Sequence, residues 1–201
     1  MENIIYIHGA NASSDNFNYY ILKFPKHNIL KIDYSMEDDP FDIVEHVKLR
    51  KQREFPGQKV HLIGHSFGGL ISSWYASVYS KDVKNLVTIA TPWQGTPVAR
   101  IFGMFFKGKV FENTKPGAEV LAFLQEKTFK GNHFNIVCTR GANPVAGLGG
   151  KANDGMITCD SQSATPPKFI NTENTFIEAG HSGVLLNNNV TDILQKIIFE
   201  E

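Results

Sequence analysis

The pentapeptide Gly64-His65-Ser66-Phe67-Gly68 constrains the fold of this chain of 201 residues more than any other segment. It follows an apolar run at 60–63 and precedes a helix-like run at 69–76. A Gly-x-Ser-x-Gly pattern between a strand and a helix is typical of a turn so sharp that the serine becomes strained and exposes its hydroxyl. The glycines remove side chains that would collide across this turn. We therefore predict a strand, a tight turn and a helix, with Ser66 at the turn.

Short apolar runs alternate with helical patterns along the chain, which indicates a mostly parallel central sheet with helices on both faces. The predicted strands cover residues 4–7, 29–34, 59–63, 83–90, 134–139 and 175–178. Helices are predicted from Ser13 or Ser14 onward, from the Asp39-Pro40 cap to about Phe55, over 116–124, and from Val190 to Ile198. We expect one α/β domain over residues 1–201, with a long loop at 141–155.

Composition excludes several classes of function. The chain is 42% hydrophobic and 20% charged, with a formal net charge of zero and no basic stripe, so no nucleic-acid partner is expected. No apolar run is long enough to span a bilayer, and the first residues lack the features of a signal peptide, so we expect a cytoplasmic protein. Cys138 and Cys159 have no metal-binding spacing; a disulfide between them is open, but two reduced thiols are favoured. The sequence leaves the oligomeric state open.

Chemically active residue types recur where the predicted strands end. His8-Gly9 follows the first strand, Ser66 the third and His181 the sixth, and Asp154 lies in the loop beyond the fifth. In open parallel sheets, sites form beyond the carboxyl ends of the strands. We therefore expect these residues to meet at one edge of the sheet.

Ser66, His181 and Asp154 are the candidate catalytic residues. A serine hydroxyl needs a base to take its proton as it attacks, and histidine has suitable basicity. The base needs a carboxylate that fixes its tautomer, and Asp154 is favoured for this role by its position. His181 could instead be a loop histidine that caps a helix, and Asp-Gly often marks only a turn. The rival carboxylates are Asp160 and, more weakly, Glu173 and Glu178.

Two backbone amides are candidates for an oxyanion hole. A tetrahedral intermediate carries an oxyanion that preorganised donors must meet. The residue after the nucleophile supplies one N–H, here that of Phe67, and the loop after the first strand supplies the other, for which we choose Ala10. The alternative for His8-Gly9 is a plain turn at a strand end.

Taken together, these segments resemble the α/β-hydrolase superfamily, and more narrowly its small serine lipases and esterases. The resemblance extends beyond the pentapeptide to residues 7–9, 90–97, 153–155 and 181–186, so it covers nearly the whole chain. It implies an α/β-hydrolase fold in a minimal version, with a short cap or helical insertion at 97–130. It also implies a serine carboxylesterase or lipase that works through an acyl-enzyme and needs no cofactor or metal. The segment at 97–130 is short for a full lid.

The apolar residues after the fourth predicted strand are the candidate substrate-binding residues. Phe102, Met104 and Phe105 could form an apolar wall for an acyl chain, or they could merely pack a helix onto the sheet. Trp93, near the end of a strand, could likewise line a pocket or fill the core. Lys107 and Lys109 interrupt the apolar run, which argues against stable membrane insertion.

The favoured function is hydrolysis of esters with small to medium hydrophobic acyl groups, by a Ser-His-Asp triad. An acyltransferase or amidase would use the same acyl-enzyme with another acceptor, and the sequence does not separate these. A hydrolase fold retained only for binding is the third hypothesis. A strained serine turn argues against it, because a binding protein does not need one.

Overall fold

A parallel sheet forms the centre of the molecule. The computed structural model describes residues 1–102, 108–141 and 150–200, the side chains of 100–102 excepted. Its strands are β1 (Asn3–Ile7), β2 (Asn28–Ile32), β3 (Val60–His65), β4 (Val83–Ile89), β5 (Phe129–Cys138) and β6 (Phe169–Ile177). They lie in the order β2-β1-β3-β4-β5-β6, and each neighbouring pair is parallel. The predicted α/β class is confirmed.

Helices cover both faces of this sheet. They are α1 (Asn18–Lys23), α2 (Pro40–Glu54), α3 (Phe67–Val78), α4 (Pro97–Phe102), α5 (Lys109–Glu112), α6 (Glu119–Gln125), α7 (Cys159–Ser163) and α8 (Asn188–Phe199). Short 3₁₀ turns occupy Ser14–Phe17, Ser80–Asp82 and Gly183–Leu186. In β1, Ile5 and Ile7 pack in a core with α2, α3 and α6, whereas Ile4 and Tyr6 pack in a second core with α1 and α8. Side chains alternate across a strand, so an apolar run buries residues on both faces.

Local sequence signals explain where the main helices begin. Asp39 caps α2, and its carboxylate accepts a hydrogen bond from the amide of Phe41 at 3.1 Å. Asn187 caps α8 by accepting from the amides of Asn189 and Val190. Both caps satisfy amides that have no partner within the helix.

The last two strands begin earlier than the sequence predicts. β5 starts at Phe129 and not at 134, and β6 starts at Phe169 and not at 175. After the buried Phe169, the added part of β6 is exposed or half-buried and mainly polar, as is expected of an edge strand. No described helix is both long and apolar enough to cross a membrane.

Candidate active site

The turn between β3 and α3 holds Ser66 in a conformation that non-glycine residues rarely adopt. Its φ is 54° and its ψ is −121°. Such a backbone costs on the order of 1–3 kcal/mol and persists only where the surroundings enforce it. The amide of Ser66 donates to the carbonyl of Ile89 in β4 at 2.8 Å, which fastens the turn to the next strand. The predicted strained serine turn is therefore present.

The two glycines of the pentapeptide are required by close backbone contacts. A Cβ on Gly64 would lie 2.4 Å from the carbonyl oxygen of Gly68. A Cβ on Gly68 would lie 2.1 Å from the carbonyl oxygen of Ile7 and 2.3 Å from that of His8. No side chain fits at these distances, so the glycines let the turn pack directly on the end of β1. This contact brings Ser66 beside the loop that follows β1.

Ser66, His181 and Asp154 form one chain of hydrogen bonds. The Nδ1–H of His181 donates to Oδ2 of Asp154 at 2.7 Å, and the Ser66 hydroxyl lies 3.1 Å from Nε2 of His181. A carboxylate only accepts, so the proton of the neutral imidazole is held on Nδ1 and Nε2 is free to accept from the serine. The structure thus brings together the three residues that the sequence singled out, with the geometry of a nucleophile, a base and an orienting acid.

The loop after β5 holds the Asp154 carboxylate in a fixed orientation. Its Oδ1 accepts from the amides of Met156 at 2.8 Å and Ile157 at 2.7 Å, which leaves Oδ2 for His181. The amide of His181 in turn donates to the carbonyl of Asp154 at 2.8 Å. Backbone and side-chain contacts therefore fix His181 relative to Asp154.

Gln162 is a supporting residue that the sequence analysis missed. Its side chain is completely buried, and its amide nitrogen donates to the carbonyls of Cys138 at 3.1 Å and Ile157 at 3.2 Å. Its amide oxygen accepts from the backbone N–H of Cys138 at 2.8 Å. Gln162 therefore fastens the acid loop to the end of β5. It lies on the five-residue helix α7, which has no apolar pattern that could have revealed it.

The rival carboxylates lie elsewhere. The side chain of Asp160 is 67% exposed and forms an ion pair with Lys151 at 2.9 Å. Glu173 and Glu178 are exposed residues at and just beyond the edge strand. Among the described residues, Asp154 is the carboxylate hydrogen-bonded to His181.

His8 and Tyr34 fix the conformation of the loop after β1. Nδ1–H of His8 donates to the carbonyl of Gly9 at 2.7 Å, and Nε2 accepts from the amide of Tyr34 at 3.3 Å. The Tyr34 hydroxyl donates to the carbonyl of His8 at 2.6 Å, and the two rings stack with centroids 4.1 Å apart. Burial lowers the pKa of His8, which keeps this neutral arrangement.

The amides of Ala10 and Phe67 are available as donors. Neither has an acceptor among the residues that the structure describes. Ala10 lines the same cavity as Ser66 and His181, and Phe67 is the first residue of α3, where helix amides have no internal partner. The adjacent amide of Asn11 is occupied, since it donates to the sulfur of Met36 at 3.0 Å. The oxyanion-hole roles of Ala10 and Phe67 stay predictions.

His65 lies inside the turn and contacts His181. Its Nε2–H donates to the carbonyl of His181 at 2.8 Å, and the two rings lie 4.9 Å apart. Burial, with a smaller contribution from the neighbouring His181, lowers the pKa of His65 to about 3. Its buried Nδ1 has no partner among the described residues. His65 therefore stays neutral and packs locally.

Two buried neutral histidines are expected to make the protein sensitive to acid. Burial lowers the pKa of both His65 and His133 to about 3. In the unfolded chain these side chains take up protons below about pH 6.5, so the unfolded state binds more protons and stability falls as pH drops below that value. At pH 5 each histidine should cost about 2 kcal/mol of unfolding free energy.

Urea unfolding at pH 7.5 and pH 5 measures this loss. The variant His133→Gln should lose about 2 kcal/mol less than the wild type between the two pH values. Any constant effect of the substitution cancels in that difference. Equal losses in both proteins would contradict the assignment.

Ser66 opens into a cavity of about 370 Å³. Its wall includes Ala10 and His181 together with residues of α4, α5 and the acid loop. Trp93 is not on this wall. It is 1% exposed, and its ring packs edge-on against His133 and Phe169 in the core.

The other predicted substrate-binding residues fall outside the described part of the chain. These are Met104, Phe105 and the side chain of Phe102. Within the described ranges, Cys138 and Cys159 are free thiols, and no group of three His, Cys, Asp or Glu side chains is arranged to hold a metal ion.

Comparison with known proteins agrees with this fold. A sequence profile described as the alpha/beta hydrolase fold matches residues 23–126, which is more than half of the chain. The chain therefore belongs to the α/β-hydrolase fold family, and it resembles the small lipases and esterases within it. No curated protein sequence matches the chain.

Solved structures share the fold at low sequence identity. The mature lipase BlEst2 of Bacillus licheniformis superimposes with a TM-score of 0.77 at 18% identity, over 98% of this chain and 92% of the lipase. The product of lin2722 from Listeria innocua gives 0.71 at 15% identity, over 98% and 93% of the two chains. The metagenomic carboxyl esterase MGS0156 gives 0.73 at 11% identity, over 98% and 75%. At these identities the likeness establishes the fold alone.

Proposed function

We propose that this chain is a serine hydrolase that cleaves carboxylic esters through an acyl-enzyme intermediate. The observation that carries the proposal is the position of His181, which is hydrogen-bonded to both the Ser66 hydroxyl and the Asp154 carboxylate beside a cavity. The similarity in fold to a lipase and to a carboxyl esterase supports an ester as the substrate. The proposed substrates carry small to medium hydrophobic acyl groups.

The proposed reaction has two halves, acylation and deacylation, and the same residues act in both. Ser66 Oγ attacks the ester carbonyl while His181 Nε2 takes its proton, and Asp154 stabilises the imidazolium. The oxyanion accepts hydrogen bonds from the amides of Ala10 and Phe67. The partial positive charge at the N-terminus of α3 stabilises the oxyanion further. His181 then gives the proton to the departing alcohol, which leaves the acyl group on Ser66. In the second half, water attacks the acyl carbonyl while His181 takes its proton, and His181 then returns this proton to Ser66 Oγ as the carboxylic acid is released.

Labelling of Ser66 tests the proposal. We expect a fluorophosphonate probe to label the wild-type protein at Ser66, because the base activates this hydroxyl. The same preparation should hydrolyse p-nitrophenyl butyrate. Peptide mapping by mass spectrometry identifies the labelled residue.

The control is Ser66→Ala, which should take up no probe and show no turnover while it retains the wild-type circular dichroism spectrum. A folded wild-type protein that takes up no probe would favour a fold used only for binding. Labelling at another serine would remove Ser66 from the site.

A further inference from the structure

The cavity beside Ser66 has a buried apolar wall. Val98, Ala99 and Ile157 line it and are only 1 to 2% exposed. Thr96 and Thr114 also line it, but their hydroxyls are engaged, since Thr96 donates to the carbonyl of Met156 and Thr114 to the carbonyl of Phe111. This inner wall therefore has apolar side chains and threonines whose donors are already in use.

The rim of the same cavity is polar. The exposed residues among those that line the cavity are Asn11, Asn16 and Ser182. Their side-chain amides and hydroxyl have no hydrogen-bond partner among the described residues. Three neutral polar groups are thus free to bind a ligand at the rim.

The order of the proposed reaction assigns a part of the substrate to each region. The acyl group stays bonded to Ser66 while the alcohol leaves and water enters, so we assign the acyl group to the buried apolar wall and the alcohol to the exposed rim. His181 must protonate the departing alcohol, and Ser182 of the rim is its neighbour in the chain. The cavity volume of about 370 Å³ is near the lower end of the range for small-ligand sites, which favours a short acyl chain.

We propose that the preferred substrates are esters of a short apolar acid with an alcohol that carries hydroxyl or ether oxygens. This inference rests on the proposed ester hydrolysis and adds to it the polarity of the alcohol. Asn11, Asn16 and Ser182 select the alcohol by neutral hydrogen bonds, each of which should change kcat/KM by roughly 2- to 12-fold. The inner wall selects the acid.

Two esters that share one acid test the inference. 2-(2-Hydroxyethoxy)ethyl butyrate and hexyl butyrate have alcohol chains of equal length, and only the first can accept and donate hydrogen bonds at the rim. We expect the wild-type protein to prefer the first ester in kcat/KM. The double variant N16A/S182A should lower the ratio of the two kcat/KM values by about 5- to 150-fold, for the loss of two hydrogen bonds.

Asn18→Ala is the matched control. Asn18 is an exposed asparagine two residues beyond Asn16, and it contacts Asp15 and Lys31 away from the cavity. This variant should keep the wild-type ratio. A wild-type preference for hexyl butyrate, or a ratio that N16A/S182A leaves unchanged, would overturn the inference.

Failure of this inference differs from failure of the proposed function. If p-nitrophenyl butyrate is hydrolysed in a manner that depends on Ser66 but the two butyrates show no preference, only the alcohol selection is wrong. If no hydrolysis depends on Ser66, the ester hydrolase itself is rejected, and this inference with it.

Discussion

Replacing His181 with alanine should lower kcat for p-nitrophenyl butyrate by about 10⁵- to 10⁶-fold, nearly as much as Ser66→Ala, because members of a triad act as a unit. The reason lies in the hydrogen bond of 3.1 Å between the Ser66 hydroxyl and Nε2 of His181. Without the imidazole, the hydroxyl must attack with its proton still attached. The double variant S66A/H181A should therefore be no slower than either single variant.

The measurement is single-turnover and steady-state kinetics of the three variants beside the wild type. His46→Ala is a control for the loss of a histidine, since His46 is an exposed residue of α2 and does not line the Ser66 cavity. Residual turnover of a tenth or more in His181→Ala would assign the base to another group. Additive losses in the double variant would mean that the two residues act separately.

The core of the proposed site was predictable because local backbone chemistry specifies it. Gly64 and Gly68 are required where the turn meets the end of β1, and a serine between them can then only project from the turn. The parallel strands explain why the other residues lie near Ser66, because the carboxyl ends of parallel strands meet at one edge of the sheet. Asp154 and His181 could be selected without any knowledge of their contacts.

Trp93 illustrates what the sequence did not reveal. Its partners His133 and Phe169 lie in the early parts of β5 and β6. Those parts are mainly polar, so no apolar alternation predicted them as strands. Without these strands no core partner for Trp93 was visible, and a role in the pocket was as plausible as a role in the core.

Gln162 was missed for a different physical reason. Its side chain makes three hydrogen bonds to backbone atoms of Cys138 and Ile157. Cys138 is distant from Gln162 in the sequence, and the position of Ile157 depends on the conformation of the loop. A buried polar network of this kind has no periodicity. Side chains that hold a loop in this way can be recognised only once the tertiary contacts are known.

Asp154→Asn should lower kcat by about 10⁴-fold, the size of effect seen when the orienting acid of a triad is made neutral. The contacts of the carboxylate explain why asparagine is a poor substitute. Oδ1 accepts from the amides of Met156 and Ile157, so the asparagine oxygen should keep that position and direct its NH₂ group at Nδ1 of His181. Nδ1 must then accept a hydrogen bond from this NH₂ group, which places the imidazole hydrogen on Nε2. In this tautomer the base cannot take the proton of Ser66.

Asp160→Asn separates this effect from a general loss of negative charge near the acid loop. Asp160 belongs to the neighbouring helix α7, but its side chain is mostly exposed and paired with Lys151, so the change should alter kcat by no more than about twofold. Steady-state kinetics of both variants over a range of pH decide between the two carboxylates. If Asp160→Asn is the more damaging change, the acid has been assigned to the wrong residue. If the two changes are equally mild, the orientation of His181 depends on its backbone bond to Asp154 and on His65 more than on the carboxylate.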